Sequence, residues 1–143
     1  MVSAIFEDSK KNLWIGTFDG GLNLYNSADN TFTHFKNDPN DLSSINHNQV
    51  MDIIELSKDS LLIATFGGGI NVFNTKTLKF INRENSNMFE FQTEHRNIRK
   101  LFDEGNKIWI GSYNGLYQYN KKTKKITKYI FYIKILSIWN LRR

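Results

Sequence analysis

The chain has 143 residues, which is the size of one ordinary domain, and it carries a formal net charge of +5. It contains no cysteine, which excludes a disulfide framework and thiolate metal ligands. Eight of the 19 basic residues lie in residues 121–143, where no acidic residue occurs, so the preceding residues carry 11 basic and 14 acidic side chains. The basic character belongs to the end of the chain and does not predict a nucleic-acid-binding face.

The first 35 residues predict four short strands. Residues 2–7 and 13–17 are apolar runs rich in β-branched and aromatic side chains, and a polar turn separates them. The turn Asp19-Gly20-Gly21 tolerates positive φ, as a tight hairpin demands, and leads to a third strand at 22–26. A weaker fourth strand follows at 31–35. The pattern is that of an antiparallel sheet.

The same pattern occurs twice more. The run Leu-Trp-Ile-Gly-Thr at 13–17 returns as Leu-Leu-Ile-Ala-Thr at 61–65 and as Ile-Trp-Ile-Gly-Ser at 108–112. A period of this size indicates one small unit copied and stacked, and four antiparallel strands every ~45 residues are typical of a β-propeller blade. The sequence therefore predicts an all-β fold, a partial β-propeller of three four-stranded antiparallel blades.

We place the blades within residues 1–129, at about 2–35, 50–81 and 98–129, with the fourth strand of the second blade at 78–81. Residues 130–143 do not match the repeat and are apolar and basic; an extra strand, a helix and an aggregation-prone segment all suit their composition. An open arc of blades leaves an apolar face bare at each end, which predicts marginal stability, self-association or further blades.

The repeated phrase resembles the two-component regulator propeller repeat. The resemblance is carried by Ile5-Phe-Glu-Asp8, the run at 13–17 and Gly20-Gly-Leu22, and it extends over about residues 2–129. It implies the sensor region of hybrid two-component histidine kinases of the Bacteroides type. In that family the repeats form seven-bladed periplasmic propellers that commonly sense oligosaccharides.

The chain departs from that family pattern in several ways. It has three blades, no kinase motif, no signal peptide and no apolar run of the ~20 residues that a membrane helix needs. We therefore interpret it as a fragment or a truncated sensor, without catalysis of its own. The alternatives are a propeller-type carbohydrate-active enzyme, a lyase or hydrolase, and a non-functional remnant of a sensor kinase.

Aromatic residues precede each glycine turn and are the weak candidates for ligand binding. Phe18, Phe66 and Tyr113 occupy this place, beside Asp19 and Asn114. Aromatic rings on one rim can stack on sugar rings, and packing over the turn is the competing explanation. The expected partners are an oligosaccharide, further blades or a second copy, with no nucleic acid and membrane contact only through the basic tail.

No catalytic residue, metal ligand or cofactor is predicted. His34, His47 and His95 share no metal-ligand spacing, and Gly67-Gly-Gly69 suits a hairpin turn better than a phosphate cradle, since no Lys-Ser/Thr pair follows. Trp14 and Trp109 alternate with Leu62, which indicates a need for apolar bulk. Acidic residues recur at the end of the first strand of each blade and favour a turn role there: Glu7, Asp8, Glu55, Asp103 and Glu104.

Overall fold

The computed structural model describes residues 1–87 and 89–129, which form three four-stranded antiparallel sheets. The first blade contains β1 (Val2–Glu7), β2 (Leu13–Thr17), β3 (Leu22–Asn26) and β4 (Thr31–Phe35). The second contains β5 (Val50–Ser57), β6 (Ser60–Thr65), β7 (Gly69–Asn74) and β8 (Lys79–Asn82). The third contains β9 (Ile98–Asp103), β10 (Lys107–Ser112), β11 (Gly115–Asn120) and β12 (Lys125–Tyr129). In each blade the strands pair in chain order, which confirms the predicted all-β fold class of a partial propeller.

The first strand of every blade carries the same irregularity near its start. The register shifts between Val2 and Ala4 in β1 and between Val50 and Asp52 in β5, and β9 shifts in the same way opposite Gly111 and Ser112. A bulge adds one residue and increases the local twist. The three blades therefore share backbone geometry as well as sequence, which lets one blade stack on the next in a constant manner.

The turn between the third and fourth strands explains a small error in the predicted bounds. Asn30, Leu78 and Lys124 precede the fourth strands, and all three have φ close to +58°. Leu78 was predicted to begin a strand, but its positive φ places it in the turn, and β8 begins at Lys79. The end of the third strand fixes this turn, because the Asn74 side chain accepts the N–H groups of residues 76 and 77.

The apolar core lies between blades and not within them. We call the face of a blade that packs on the following blade its front face, and the opposite one its rear face. One cluster joins the front of the first blade to the rear of the second, and another joins the front of the second to the rear of the third. Fully buried members include Trp14, Leu22, Ile63 and Phe73 in the first cluster and Leu62, Ile98, Ile108 and Ile110 in the second.

The described residues contain no helix that is long and apolar enough to cross a membrane. The predictions made for residues 130–143 lie outside the described part of the chain.

Candidate functional site

A hydroxyl group closes the glycine turn of every blade. Thr65 Oγ1 donates to the Gly69 carbonyl at 2.8 Å and Ser112 Oγ to that of Gly115 at 2.9 Å. Thr17 Oγ1 makes the corresponding contact with Gly21 at 3.3 Å. This bond gives a physical reason for Thr or Ser at the end of each repeated phrase: it holds the turn in one shape and so fixes the aromatic residue that follows.

The candidate aromatic residues are anchored beside the start of the first strand of their own blades. The backbone N–H groups of Phe18, Phe66 and Tyr113 donate to the carbonyls of residues 1, 49 and 97, at 3.0, 2.9 and 2.9 Å. The glycine turns and the residues just before β1, β5 and β9 thus form one continuous edge. We call this edge, residues 17–21, 46–49, 65–69, 94–97 and 112–115, the turn rim.

The link to the next blade also binds to the turn rim. Gly21 N donates to the Asn48 carbonyl at 2.9 Å, and Gly67 N and Gly69 N donate to the Arg96 carbonyl at 3.0 and 2.8 Å. Gly21 and Gly69 have φ of +68° and +79°, and a Cβ on Gly21 would lie 2.2 Å from the Phe35 carbonyl oxygen. Glycine is required at such a position because of backbone conformation and space together.

Two of the candidate aromatic residues lie side by side. The rings of Phe66 and Tyr113 meet edge to face, with centroids 6.5 Å apart and an interplanar angle of 89°. The Arg99 guanidinium carbon lies 5.9 Å from the Phe66 ring centre. Tyr113 is 67% exposed, so an aromatic surface beside a cation faces solvent between the second and third blades.

Polar groups border this aromatic pair. The side-chain amide nitrogen of Asn114 lies 3.2 Å from His95 Nδ1. Arg96 forms an ion pair with Glu84 at 2.6 Å. Asn114 follows Tyr113 in the chain, and His95 and Arg96 precede Asn97, the backbone partner of Tyr113. The rim between the second and third blades therefore offers aromatic stacking, an amide and a guanidinium within one small area.

The two candidates of the first blade are separate from this group. Asp19 is exposed and Phe18 is half-buried. In the part of the chain that the structure describes, no aromatic contact or hydrogen bond joins either residue to Phe66, Tyr113 or Asn114. The structure thus brings together three of the five candidate residues.

A buried asparagine network beneath the rim was missed by the sequence reasoning. Asn71 Oδ1 accepts from Asn82 Nδ2 at 2.9 Å, and Asn71 Nδ2 donates to Asn46 Oδ1 at 2.8 Å. Asn46 Nδ2 in turn donates to the Gly68 carbonyl at 2.7 Å. The network fixes the link to the second glycine turn. Its one sequence signal is the asparagine shared by the first two blades, Asn23 and Asn71, which Tyr117 replaces in the third.

Trp14 and Trp109 each have a polar partner, which the prediction of a purely apolar role for them did not include. Trp14 Nε1 donates to Asp8 Oδ2 at 2.8 Å and Trp109 Nε1 to Glu104 Oε2 at 2.9 Å. The second blade has Leu56 and Leu62 at these two places, so acid and tryptophan occur together. The acidic residues accordingly occupy two positions and not one, since Glu7, Glu55 and Asp103 form a separate set.

Asp8 fixes the first turn of its blade, at the end opposite the turn rim. It is 4% exposed and also accepts from the backbone N–H groups of Lys10 and Asn12, each at 2.9 Å. Burial alone would raise the pKa of this carboxyl group, but the bonds from Trp14, Asn12 and Lys10 outweigh it and lower the pKa below 3.8. Asp8 is thus an ionised anchor of the fold and lies away from the candidate site.

Other features of the described residues do not add a site. Within residues 1–87 and 89–129, no three His, Asp or Glu side chains are grouped so that they can hold a metal ion. An apolar cleft of about 240 Å³ lies over the second junction and is lined mainly by Leu56, Val72, Ile81, Phe89 and Phe91. Its one charged group, Glu90, accepts from Tyr119 Oη at 2.7 Å, and burial with this carboxylate raises the Tyr119 pKa.

Comparison with known proteins supports the resemblance. The family model described as two component regulator propeller matches residues 1–19. The chain is similar to the extracellular domain of a protein described as the hybrid two-component system BT4673 of B. thetaiotaomicron, with 29% identity and a TM-score of 0.71. The match covers 89% of this chain and 18% of that one. A search of the curated proteins gives no match.

Two further solved structures share the fold. The extracellular domain described as that of the hybrid two-component system BT3049 of B. thetaiotaomicron is 22% identical, with a TM-score of 0.74, over 90% of this chain and 18% of that one. The computationally designed Ika8 protein is 13% identical, with a TM-score of 0.59, over 90% of this chain and 36% of that one. The predicted resemblance to the two-component regulator propeller family is confirmed, and the chain spans about 18% of the length of the two bacterial domains.

Proposed function

We propose that these blades belong to the extracellular sensor region of a two-component signalling protein and recognise an oligosaccharide at the turn rim, without catalysis of their own. The family match and the extracellular domains with the same fold support the sensor role. Because those domains are far longer than this chain, the signalling activity is that of a larger assembly to which the blades contribute a surface.

The observation that carries the ligand proposal is the exposed ring of Tyr113 beside Phe66. Sugar rings present apolar C–H faces and a rim of hydroxyl groups. An aromatic pair 6.5 Å apart suits the former, and the Asn114 amide and Arg99 guanidinium can bind the latter. The hydroxyl-closed turns hold these groups in place before a ligand arrives, which reduces the entropy cost of binding.

The proposal is tested by isothermal titration calorimetry of the purified chain with a panel of defined oligosaccharides. Tyr113→Ala is expected to weaken binding about tenfold, which corresponds to about 1.4 kcal/mol. Phe32→Ala is the matched control, because Phe32 is an exposed aromatic residue of β4 away from the rim. Equal loss in both variants, or no binding by the wild-type chain, contradicts a site at the rim.

The same preparation tests the two alternative functions. Release of new reducing ends or unsaturated products from those oligosaccharides overturns the proposed lack of catalysis and favours a lyase or hydrolase. Failure of the chain to unfold cooperatively at low concentration favours a non-functional remnant.

A further inference from the structure

The rear face of the first blade is an uncovered copy of a surface that is buried elsewhere in the chain. Ile5, Ile53 and Leu101 occupy the same position in β1, β5 and β9. Ile53 and Leu101 are 2% and 7% exposed because a preceding blade packs on them, whereas Ile5 is 69% exposed. The rear face of the first blade therefore has the chemistry of an interblade contact and lacks its partner among the described residues.

The front face of the third blade has a matching space. At the first junction Val50 packs so closely on Gly16 that a Cβ on Gly16 would lie 2.5 Å from Val50 Cγ1. Gly111 occupies the place of Gly16 in the third blade, but among the described residues a Cβ there would meet no atom closer than 3.7 Å. Val2 is the counterpart of Val50 in the first blade and is 57% exposed. One end of the chain thus holds the valine, and the other end the glycine that would receive it.

The aromatic residues at the two ends show the same correspondence. Trp109 and Tyr129 on the front of the third blade have ring centres 5.7 Å apart at 45°, close to the 6.2 Å and 43° of Trp14 and Phe35 on the first. At the first junction Phe73 contacts both of those rings, at 5.4 and 5.0 Å. The pair on the third blade is therefore arranged to receive an aromatic side chain from a following rear face.

The first blade carries the required aromatic side chain. Tyr25 lies in β3 at the position that Phe73 has in β7, opposite Phe32 as Phe73 is opposite Phe80. Tyr25 packs on Phe32 with centres 5.4 Å apart, as Phe73 packs on Phe80 at 4.5 Å. The rear face of the first blade thus presents the valine, the isoleucine and the aromatic ring that the second blade uses at its own junction.

We infer that two copies of this chain associate head to tail, with the rear face of the first blade of one copy packed on the front face of the third blade of the other. The contact repeats the internal junctions, with Val2 against Gly111 and Tyr25 against Trp109 and Tyr129. Such a contact joins two different surfaces, so it continues from copy to copy until a ring closes. This assembly extends beyond the proposed ligand recognition and does not depend on it.

Sedimentation velocity of the full chain over a range of concentrations tests the inference. We expect species larger than a monomer, whose amount rises with concentration. Ile5→Asp places a charge on the rear face, and Gly111→Val fills the space on the front face, where a Cβ meets no described atom closer than 3.7 Å. Each is expected to raise the concentration needed for assembly at least tenfold. Leu42→Asp, at an exposed residue of the link outside both faces, is the matched control and should assemble like the wild type.

Mixing the two variants distinguishes this contact from unspecific adhesion. Ile5→Asp keeps an intact front face and Gly111→Val an intact rear face, so an equimolar mixture should form a 1:1 dimer that grows no further. A monomeric wild-type chain overturns the inference. Assembly that both variants retain, or a mixture without the dimer, overturns it as well. Circular dichroism of each variant confirms that a lost contact is not lost folding.

Discussion

The two interblade junctions share one backbone plan and differ in what fills them. The aromatic rings of the first come from strands: Phe73 contacts Trp14, Phe35 and Phe80 at 5.4, 5.0 and 4.5 Å. In the second, the aromatic contacts centre on Phe91, which comes from the link between the second and third blades and packs on Phe89 and Tyr119. The ring centres of Phe91 and Tyr119 lie 4.2 Å apart.

The cause of this difference lies in the outermost strands. The first blade ends with Phe35, whereas the second has Arg83 at the corresponding place just after β8. Arg83 donates to the Thr93 carbonyl at 3.2 Å and cannot supply apolar volume to the junction. Phe91, in the link, fills the space instead. The repeat therefore sets the spacing of the blades, and a link can supply the side chain that a strand omits.

Truncating the aromatic residue of each junction gives the largest expected effect. Phe73→Ala removes a fully buried ring from among three others, and we expect it to lower the free energy of unfolding by about 3–5 kcal/mol. Phe91→Ala should cost about 3 kcal/mol, at the lower end of that range, because a link can collapse into the space more easily than a paired strand. Urea unfolding followed by far-ultraviolet circular dichroism measures both.

Tyr25→Ala is the control for this pair, since Tyr25 is the counterpart of Phe73 on a face that no other described blade covers. At concentrations that keep the chain monomeric, its effect should be well below that of Phe73→Ala. A Phe91→Ala variant less stable than Phe73→Ala would show that the link determines the stability of the second junction more than the strands determine that of the first.

The strand plan of both junctions follows from the repeat in the sequence. Three copies of one phrase at a period of 47–48 residues predicted twelve strands, and all of them occur within residues 2–129, with shifts of one or two residues at their ends. Period-2 alternation also identifies which side chains face a neighbouring blade, as Trp14 and Phe73 show. Repetition makes each copy a test of the others, so the backbone is the part best predicted.

Side-chain partners were predicted less well because they depend on contacts distant in sequence. Asn46 and Asn71 are 25 residues apart, and nothing in either local sequence indicates their hydrogen bond. The contact of Phe66 with Tyr113 depends on the rotation between two blades, which composition does not encode. The pairing of an acidic residue with tryptophan could have been predicted, because Asp8 occurs with Trp14 and Glu104 with Trp109, whereas the second blade has leucine at both positions.

The next largest effect on stability is expected for Asp8, whose carboxylate accepts a hydrogen bond from Trp14. Asp8→Asn replaces a charged acceptor of buried hydrogen bonds and should cost about 1.5–3 kcal/mol at neutral pH. Glu104→Gln, at the exposed counterpart beside Trp109, should change stability by no more than about 0.5 kcal/mol.

Because the pKa of Asp8 is lowered in the folded state, the contribution of Asp8 to stability is complete well above pH 3.8 and is lost as the pH falls through the folded-state pKa. Urea unfolding between neutral and acid pH should therefore show the gap between the wild type and Asp8→Asn closing on acidification, and a gap that stays constant contradicts the assignment.

The smallest expected effect concerns the glycine at the closest approach of the first two blades. Gly16→Ala places a Cβ 2.5 Å from Val50 Cγ1, and we expect the forced shift to cost about 1–2 kcal/mol. Gly111→Ala is the matched control, because its Cβ meets no atom of the described residues closer than 3.7 Å, and at low concentration it should be neutral or slightly stabilising. Combining Gly16→Ala with Val50→Ala should cost less than the two single changes together, since the smaller side chain removes the clash. Strict additivity in urea unfolding would show that Gly16 is required by its own strand and not by the valine of the next blade.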